Sequence, residues 1–402
     1  VECKIQPDDS NWSVGDFRYN VIHWITSNKS PFAGHGPVKV NPLTGEILRA
    51  HIRIEGESFH SRGELAHLVE NETDDFGGPH QCKIASRLDE ALLWSDVLSA
   101  MGAEINKKEV VHQAIRKVVI HEVGHTLGLR HNFRSNLMIP LEKMHDKKYT
   151  EEHGLVGSIM DYYGSNVHPD PSKQGYYYTP TIGKYDYWAI AYGYTPTNKV
   201  NERIVLDKIL ENTLPYGTDE DAGEDPWTQK FPYSDDPLAY EEMRMEAMEK
   251  AIASLTKESE LAKNGGSDLR KIFMQFVSYW YRSIQGANRF IAGHSYTRLP
   301  VEGNKEVLNW VSPDVETQAL DHLLEPFRNI DRINAWVKQL KILTPAKRWN
   351  WREKPEPILL EFEKKIMNWQ ASVLKAALGV DTFNRLNEHS FRGITDQHLN
   401  SE

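Results

Sequence analysis

The chain has 402 residues, of which 40% are hydrophobic and 26% are charged, a composition typical of an ordinary globular protein. Its net charge of −10 argues against a nucleic-acid partner, which would require a basic surface, and no apolar run reaches the roughly 18 residues of a transmembrane segment. Two cysteines, Cys3 and Cys82, are too few for a disulfide scaffold or a four-cysteine zinc site. They could form one disulfide or remain as two free thiols.

Two strands and a helix are predicted near the start of the chain. Residues 18–26 are rich in β-branched and aromatic side chains, which indicates a buried strand. In residues 47–54 apolar side chains alternate with basic ones, which indicates a strand with one buried and one solvated face. Residues 88–101 carry apolar side chains at helical spacing, which predicts a helix.

A second helix is the most clearly specified element of the chain. Asn106 and Glu109 resemble a capping box with asparagine in place of the usual serine or threonine. The segment from Val110 onward contains no proline before Gly128, where a glycine can end a helix in the left-handed conformation. We therefore predict a helix that ends at Gly128.

The middle of the chain, residues 132–232, is rich in glycine, proline, tyrosine and asparagine, which predicts long ordered loops with short helices. Residues 219–225 hold five acids in seven positions, but their spacing is not that of a twelve-residue calcium loop. We interpret this acidic stretch as a solvated connection. Asp186 is interpreted as a residue that caps or braces the helix after it.

The last part of the chain is typical of a helical domain. Asp236 and Pro237 form a favourable helix start, and Ser312 precedes another. A final long helix is predicted over residues 358–378, and Gly379 is expected to end it as a left-handed cap.

One stretch of the second helix, with the sequence HEVGHTLGLRH, carries the residues of a metal site. His121 and His125 are four residues apart, so both imidazoles project from one face of the helix and can bind one zinc ion. Glu122 lies beside that face, within reach of a water on the metal. On a continuing helix His131 would lie about 15 Å farther along the axis, so it can join the site only because Gly128 lets the chain turn away. A core helix that carries histidines by chance would need neither that glycine nor the third histidine.

This stretch resembles the extended zinc signature of the metzincin endopeptidases. Metzincins have a methionine-containing turn under the metal, and residues 158–162, with the sequence SIMDY, are similar to it. The resemblance places Met160 at the methionine of that turn. It places Tyr162 where astacin-like and serralysin-like metzincins have a tyrosine that can approach the zinc.

The continuation of the signature as HNFR, up to Arg134, is similar to large bacterial zinc-dependent metallopeptidases. Residues 36–37, 41–47 and 183–190 resemble the same proteins. Those proteins are typically exported, so the resemblance implies a secreted, periplasmic or cell-surface location. They also carry a β-rich region before the peptidase domain, and because this chain starts at Val1 without a methionine, we expect a processed or shortened form of a longer precursor.

The resemblance implies a fold of the α/β (α+β) class. A metzincin-like peptidase domain with a mixed twisted sheet and an active-site helix would be followed by a mainly α-helical C-terminal domain. We place the catalytic domain at residues 1–234, with an upper part at about 1–128 and a lower part, which contains the methionine turn, at about 129–234. The helical domain is placed at residues 235–402.

These features predict a zinc-dependent endopeptidase that hydrolyses peptide bonds of a peptide or protein substrate. Zinc is the expected cofactor, and three histidines are its expected ligands: His121, His125 and His131. Glu122 is the expected general base, and it would accept a proton from a water whose pKa the metal lowers to about 7. Tyr162 would donate to the tetrahedral oxyanion, while Gly128 and Met160 would support the site.

Two other functions stay open from the sequence. The first is a catalytically silent zinc-containing module that binds a protein or a glycan, although such a module would have no chemical need of Glu122. The second is a zinc amidohydrolase that acts on a small amide, for which a closed pocket would be expected in place of a long groove.

Overall fold

A small mixed sheet packed against one long helix forms the N-terminal part of the fold. In the computed structural model the described residues are 2–26, 34–56, 93–95, 98, 101–195, 214–230, 233–256, 266–296, 308–345 and 358–391. Most of the helix predicted over 88–101 lies outside these residues, and so does Cys82, while Cys3 is exposed and forms no disulfide with another described residue. The fold class is confirmed, because a mixed α/β arrangement is followed by a helical C-terminal part.

Within the described residues the mixed sheet contains four strands: β1 (Val21–Ile25), β2 (Gly34–His35), β3 (Val38–Val40) and β4 (Ile47–Glu55). β4 is the central strand. β1 pairs with β4 in parallel orientation, whereas β2 and β3 pair with it in antiparallel orientation. The two predicted strands therefore exist and are neighbours in the sheet.

The burial predicted for these two strands is correct only in part. β4 buries Ile52 and Ile54 in the core, but Leu48 near its start is 44% exposed. β1 alternates between half-buried and exposed side chains, with Trp24 46% exposed, so the prediction of a buried strand is wrong. Aromatic and β-branched side chains favour any pleated strand, and composition alone therefore does not report burial.

The long helix α1 (Lys107–Thr126) begins as predicted. The Oδ1 atom of Asn106 accepts the backbone N–H of Glu109 at 3.3 Å, which satisfies one of the free donors of the first turn. The Glu109 carboxylate accepts from Gln113 Nε2 at 3.2 Å. The Oε1 atom of Gln113 accepts the backbone N–H of Tyr177 at 3.0 Å, which ties the start of α1 to the middle of the chain.

The C-terminal end of α1 is a left-handed turn at Gly128, as predicted. Gly128 has a φ of +86°, and its N–H donates to the carbonyl of His125 at 3.0 Å. The N–H of Leu129 donates to the carbonyl of Gly124 at 3.1 Å. These two bonds form a Schellman motif, and the chain leaves the helix axis just before His131.

The middle of the chain contains ordered loops and short helices, as predicted. In the part of this region that the structure describes, the helices are α2 (Lys147–His153) and α3 (Lys184–Tyr194), with three 3-10 turns at Ser135–Met138, Leu141–Lys143 and Pro171–Lys173. Asp186 caps α3, because its Oδ2 atom accepts the backbone N–H of Gly183 at 2.8 Å. This confirms the interpretation of Asp186.

The C-terminal part is built from six helices of the described chain: α4 (Pro237–Ala253), α5 (Gly266–Gly286), α6 (Pro313–Arg328), α7 (Ile330–Leu340), α8 (Phe362–Ala377) and α9 (Val380–Phe391). A 3-10 turn (Ala287–Phe290) follows α5, and an antiparallel ribbon of β5 (His294–Tyr296) and β6 (Leu308–Trp310) comes before α6. None of the helices in the described residues is long and apolar enough to cross a membrane.

The predicted start of α4 is correct, whereas the predicted cap at the end of α8 is wrong. The Asp236 side chain accepts the N–H of Ala239 at 3.0 Å and so caps α4. Gly379, however, does not have a positive φ, because α9 starts directly after it and the glycine serves as a short link between two helices. This second helix is not among the elements predicted from the sequence.

Aromatic side chains from both predicted domains meet in one hydrophobic core. The ring centroid of Trp94 lies 4.8 Å from that of Phe276 in α5. The Tyr233 ring packs at steep angles against those of Tyr163 and Tyr240, at 5.5 and 5.0 Å between ring centroids. The domain boundary near residue 234 stays a prediction.

Replacing Gly128 by alanine should destabilise the protein by about 1 kcal/mol, because a residue with a Cβ atom is strained in the left-handed region. Gly193→Ala is the matched control, since Gly193 lies in α3 at an exposed position with open space around it and alanine favours a helix. Chemical unfolding of both variants measures the difference. Equal stability of the two variants would show that the turn tolerates a side chain.

Candidate metal centre

Three histidine side chains converge at the C-terminal end of α1. The nitrogen atoms of His121, His125 and His131 that could hold a metal all lie within 4.8 Å of one another. The Nε2 atoms of His125 and His131 are 3.1 Å apart. The structure therefore brings the three predicted ligands together, and the turn at Gly128 returns His131 to the helix.

Each imidazole is oriented by an acceptor at its Nδ1 atom. The acceptors are the carbonyl of Ile159 for His121 at 2.8 Å, the carbonyl of Leu129 for His125 at 3.0 Å, and the carboxylate of Asp219 for His131 at 2.7 Å. An acceptor at Nδ1 requires the ring proton there, so each Nε2 atom keeps its lone pair. Partners of this kind are typical of metal-binding histidines.

The geometry of the three rings fits zinc, and so does the protonation of His121 and His125. Two Nε2 atoms without protons cannot bond to each other at 3.1 Å, whereas a metal ion between them would satisfy both lone pairs. The Nε2 atom of His121 is buried and has no hydrogen-bond partner among the described residues. Burial, reinforced by the neighbouring histidines, holds the pKa of His121 well below its ordinary value and lowers the pKa of His125 to about 4. Neutral imidazoles are the form that zinc requires, and three of them leave a fourth position for water.

The Glu122 carboxylate lies under a glycine-containing segment of the sheet. Glu122 is fully buried, and a Cβ atom placed on Gly34 of β2 would lie 2.6 Å from its Oε1 atom. A Cβ atom on Gly36 would lie 3.0 Å from its Oε2 atom. Glycine at both positions therefore lets β2 and the chain after it approach the carboxylate closely.

The predicted methionine turn lies directly against α1. A Cβ atom on Gly124 of α1 would overlap the sulfur of Met160. The carbonyl of Met160 accepts the N–H of Asn132 at 3.1 Å, and the N–H of Met160 donates to Ser158 Oγ at 3.0 Å. The turn is thus bonded both to itself and to the residue that follows His131.

A buried carboxylate, that of Asp186, holds the methionine turn from the other side. It accepts from Ser158 Oγ at 2.6 Å and from the backbone N–H of Ile159 at 2.9 Å. Ile159 is the residue whose carbonyl orients His121, so Asp186 supports the first ligand indirectly. Burial raises the pKa of Asp186 to about 6, although the hydrogen bonds that it accepts oppose the shift.

Tyr162 lies beside two of the three histidines. Its ring centroid is 4.7 Å from that of His131 and 5.5 Å from that of His121. The side chain is 2% exposed. The Nζ atom of Lys230 lies 5.9 Å from the centroid of the Tyr162 ring, which places a positive charge next to this part of the site.

The acidic stretch 219–225 contacts the three-histidine cluster through Asp219, and two of its other acids are buried, so its interpretation as a solvated connection is wrong for these residues. Asp219 bonds to His131, and the side chains of Asp221 and Asp225 are buried. Asp225 accepts from Arg134 Nη1 at 2.7 Å. Buried carboxylates are stable when they are paired or hydrogen-bonded, and composition alone does not reveal those partners.

Two contributors to the site, Asp219 and Gly34, were not among the predicted residues. The sequence offers one signal for Asp219. Arg130 and Arg134 flank His131, and guanidinium groups commonly pair with carboxylates, so an acidic segment is expected near this histidine. Arg130 pairs with Glu220 at 2.7 Å. No local pattern distinguishes Gly34 from a loop glycine, since its role depends on the approach of β2 to α1.

A comparison with protein families agrees with the metal site that the three histidines suggest. A family model described as Met-zincin matches residues 103–400, which is more than half of the chain. The protein therefore belongs to the Met-zincin family, and the predicted resemblance to metzincins is confirmed. The family and the three-histidine cluster together support a zinc metallopeptidase. The comparison with curated proteins found no match, and the comparison with solved structures found none either.

Asp186→Asn should change the pH dependence of stability. The folded-state pKa of about 6 lies above the ordinary value of 3.8, so folding disfavours the ionised carboxylate. The stability contributed by the protonated form is complete below about pH 4 and is lost as the pH rises through about 6, by up to about 3 kcal/mol. Chemical unfolding of the metal-free protein between about pH 4 and 7 should show that the wild type loses stability relative to the variant as the pH rises, because the buried histidines titrate in both proteins and cancel in this comparison.

Asp9→Asn is the control for that experiment, because it removes a carboxylate that is exposed. It should keep the slope of the wild type. The same slope in all three proteins would contradict the assignment of the titration to Asp186.

Proposed function

We propose that this Met-zincin is a zinc-dependent endopeptidase that hydrolyses peptide bonds in peptide or protein substrates. The observation that carries the proposal is the convergence of three oriented imidazoles next to the buried Glu122 carboxylate. That set supplies a metal site and a base at one end of one helix. A structural zinc site would instead be closed by four protein ligands, usually with cysteine among them, and neither cysteine of the chain is near this segment in sequence.

Each proposed residue has a defined role in the reaction. The three histidines would hold zinc, which supplies a Lewis acid that activates water and polarises the scissile carbonyl. Glu122 accepts the proton of the attacking water and delivers it to the leaving amine. The phenolic O–H of Tyr162 donates a hydrogen bond to the oxyanion that develops in the transition state.

An extended substrate would lie along β2. This strand abuts Glu122 through Gly34 and, among the described strands, pairs only with β4. A peptide that added to the other side of β2 would pass the carboxylate in strand geometry. Binding of this kind suits a long peptide better than a small amide, which supports an endopeptidase over an amidohydrolase.

The alternative functions make different demands on the site. A silent zinc-containing module would bind its partner whether or not Glu122 can accept a proton. A small-amide hydrolase would cleave short amides faster than long peptides. An exported location and a bacterial source stay predictions from the sequence resemblance.

Glu122→Gln should reduce peptide hydrolysis by about 10²- to 10⁴-fold, since the variant lacks the general base. Its zinc content and thermal stability should stay close to those of the wild type, because Glu122 is not a proposed ligand. Chromatography of a mixed peptide library after incubation measures cleavage, with both proteins at the same zinc occupancy.

The control for Glu122→Gln is His125→Ala, on the same helix, which should lose zinc as well as activity. Equal cleavage rates for the wild type and Glu122→Gln would sink the proposed mechanism. A wild type that holds zinc, cleaves nothing and binds a protein or glycan would favour the silent module.

Tyr162→Phe should lower kcat with little change in KM, since the proposed hydrogen bond forms mainly in the transition state. The expected loss of transition-state stabilisation is about 1–3 kcal/mol for one donor of this kind. Tyr163→Phe, which removes the neighbouring buried hydroxyl, should leave kcat near its wild-type value. Steady-state kinetics with a fluorogenic peptide measures both, and an unchanged kcat in Tyr162→Phe would reduce Tyr162 to a packing residue.

A further inference from the structure

The third proposed ligand depends on residues far along the chain. His121 and His125 are part of α1, and backbone carbonyls orient their rings. His131 lies beyond the helix, and its Nδ1 atom bonds to the carboxylate of Asp219, 88 residues later in the chain. The Asp219 side chain is 45% exposed, so burial alone does not fix it and its position depends on the loop that carries it.

Residues 215–228 form this loop, which we name the acidic loop. Hydrogen bonds and ion pairs join it to residues 130–134, the segment that contains His131. Among the hydrogen bonds that join them, Asn132 Nδ2 donates to the Pro215 carbonyl at 3.1 Å, and Asn132 Oδ1 accepts the Gly217 N–H at 3.2 Å. Phe133 N–H donates to the Gly217 carbonyl, Arg130 Nη2 to Glu220 and Arg134 Nη1 to Asp225, each at 2.7 Å. A shift of the acidic loop would therefore move Asp219 and disturb the segment that contains the third histidine.

The other side of the acidic loop is bonded to the C-terminal helical part. Three contacts join them: Tyr296 OH of β5 donates to Asp221 Oδ1 at 2.7 Å, Arg289 Nη1 donates to the Ala222 carbonyl at 2.6 Å, and the Trp227 ring packs edge-on against Phe290 at 5.0 Å between centroids. The acidic loop thus lies between the three-histidine cluster and the segment of the C-terminal part that contains the 3-10 turn and β5.

From these contacts we infer that the C-terminal helical part holds the third metal ligand in position, with Asp219 as the positioning residue and Tyr296 and Arg289 as its remote supports. The inference rests on the metal site of the proposed function, but not on hydrolysis. A carboxylate at Nδ1 fixes the tautomer and orientation of an imidazole and raises its basicity. It can do so only while the carboxylate itself is held in place, which is the task assigned to the helical part.

Zinc affinity tests the role of Asp219 directly. Asp219→Ala should raise the zinc dissociation constant by about 10- to 100-fold, which is the usual effect of removing such a partner. Asp219→Asn, which keeps the size and one acceptor oxygen, should give a smaller increase. Competition with a chromophoric chelator measures both, and circular dichroism of the metal-free proteins checks that they are folded.

Zinc affinity also tests the remote supports. Tyr296→Phe, which removes one hydroxyl, should raise the dissociation constant several-fold, and Arg289→Met should act in the same direction. The matched control is Tyr281→Phe, because the Tyr281 hydroxyl on α5 accepts from Gln285 at 3.2 Å and lies outside the acidic loop. Its zinc affinity should equal that of the wild type. The visible spectrum of the cobalt(II) proteins should change in Tyr296→Phe and not in Tyr281→Phe, which separates a disturbed ligand set from a general loss of stability.

Each outcome bears on one step of the inference. Wild-type affinity in Asp219→Ala would overturn the positioning role of Asp219, and if that variant does not fold, the same result in Asp219→Asn would do so. Weakened binding in an Asp219 variant with unchanged affinity and cobalt spectrum in Tyr296→Phe and Arg289→Met would overturn the role of the helical part. A wild type that binds no zinc would overturn the proposed function, and that result is recognisable before any variant is compared.

Discussion

Side chains can share one metal ion only if the backbone brings them to one point, and a straight helix cannot do this for residues ten positions apart, because it advances about 1.5 Å per residue. The turn at Gly128 resolves that constraint. Its Schellman bonds end α1, and the same turn presents the Leu129 carbonyl to Nδ1 of His125. One local conformation therefore returns His131 to the site and also orients the ligand before it.

Close backbone approach on two faces of α1 is the second condition for the site. On one face Gly34 and Gly36 come within contact distance of the Glu122 carboxylate, and on another Gly124 touches the sulfur of Met160. A side chain at any of these glycines would push the sheet or the methionine turn away from the helix. The proposed base and the proposed ligands are thus fixed from both sides by packing, which is how a site acquires a defined geometry before any substrate arrives.

The sequence was sufficient for features that depend on local rules. The cap at Asn106, the left-handed Gly128, the helix start at Asp236 and the spacing of the histidines each follow from a few neighbouring residues, and the structure contains all of them. The family signature extended this to the methionine turn, although the pattern of one short turn would not have placed it against α1.

The features that the sequence did not predict depend on contacts between distant segments. Asp219 looked like one acid among five, and its importance comes from a partner 88 residues away. Gly379 looked like a helix cap because the start of α9 was not recognised, and Trp24 looked buried because aromatic composition suits an exposed strand equally well. In each case the local pattern was compatible with two environments, and only the tertiary fold decides between them.

The distance in sequence between His131 and Asp219 also sets the order in which the centre can be assembled. During synthesis the HEVGHTLGLRH stretch leaves the ribosome well before the acidic loop, and the anchors at Arg289 and Tyr296 follow later still. Closing contacts over such long intervals costs chain entropy and occurs late in folding. A nascent chain therefore carries two of the proposed ligands and the proposed base early, but its third proposed ligand gains its support only after synthesis has passed Tyr296, so the fold itself delays the completion of the proposed metal site.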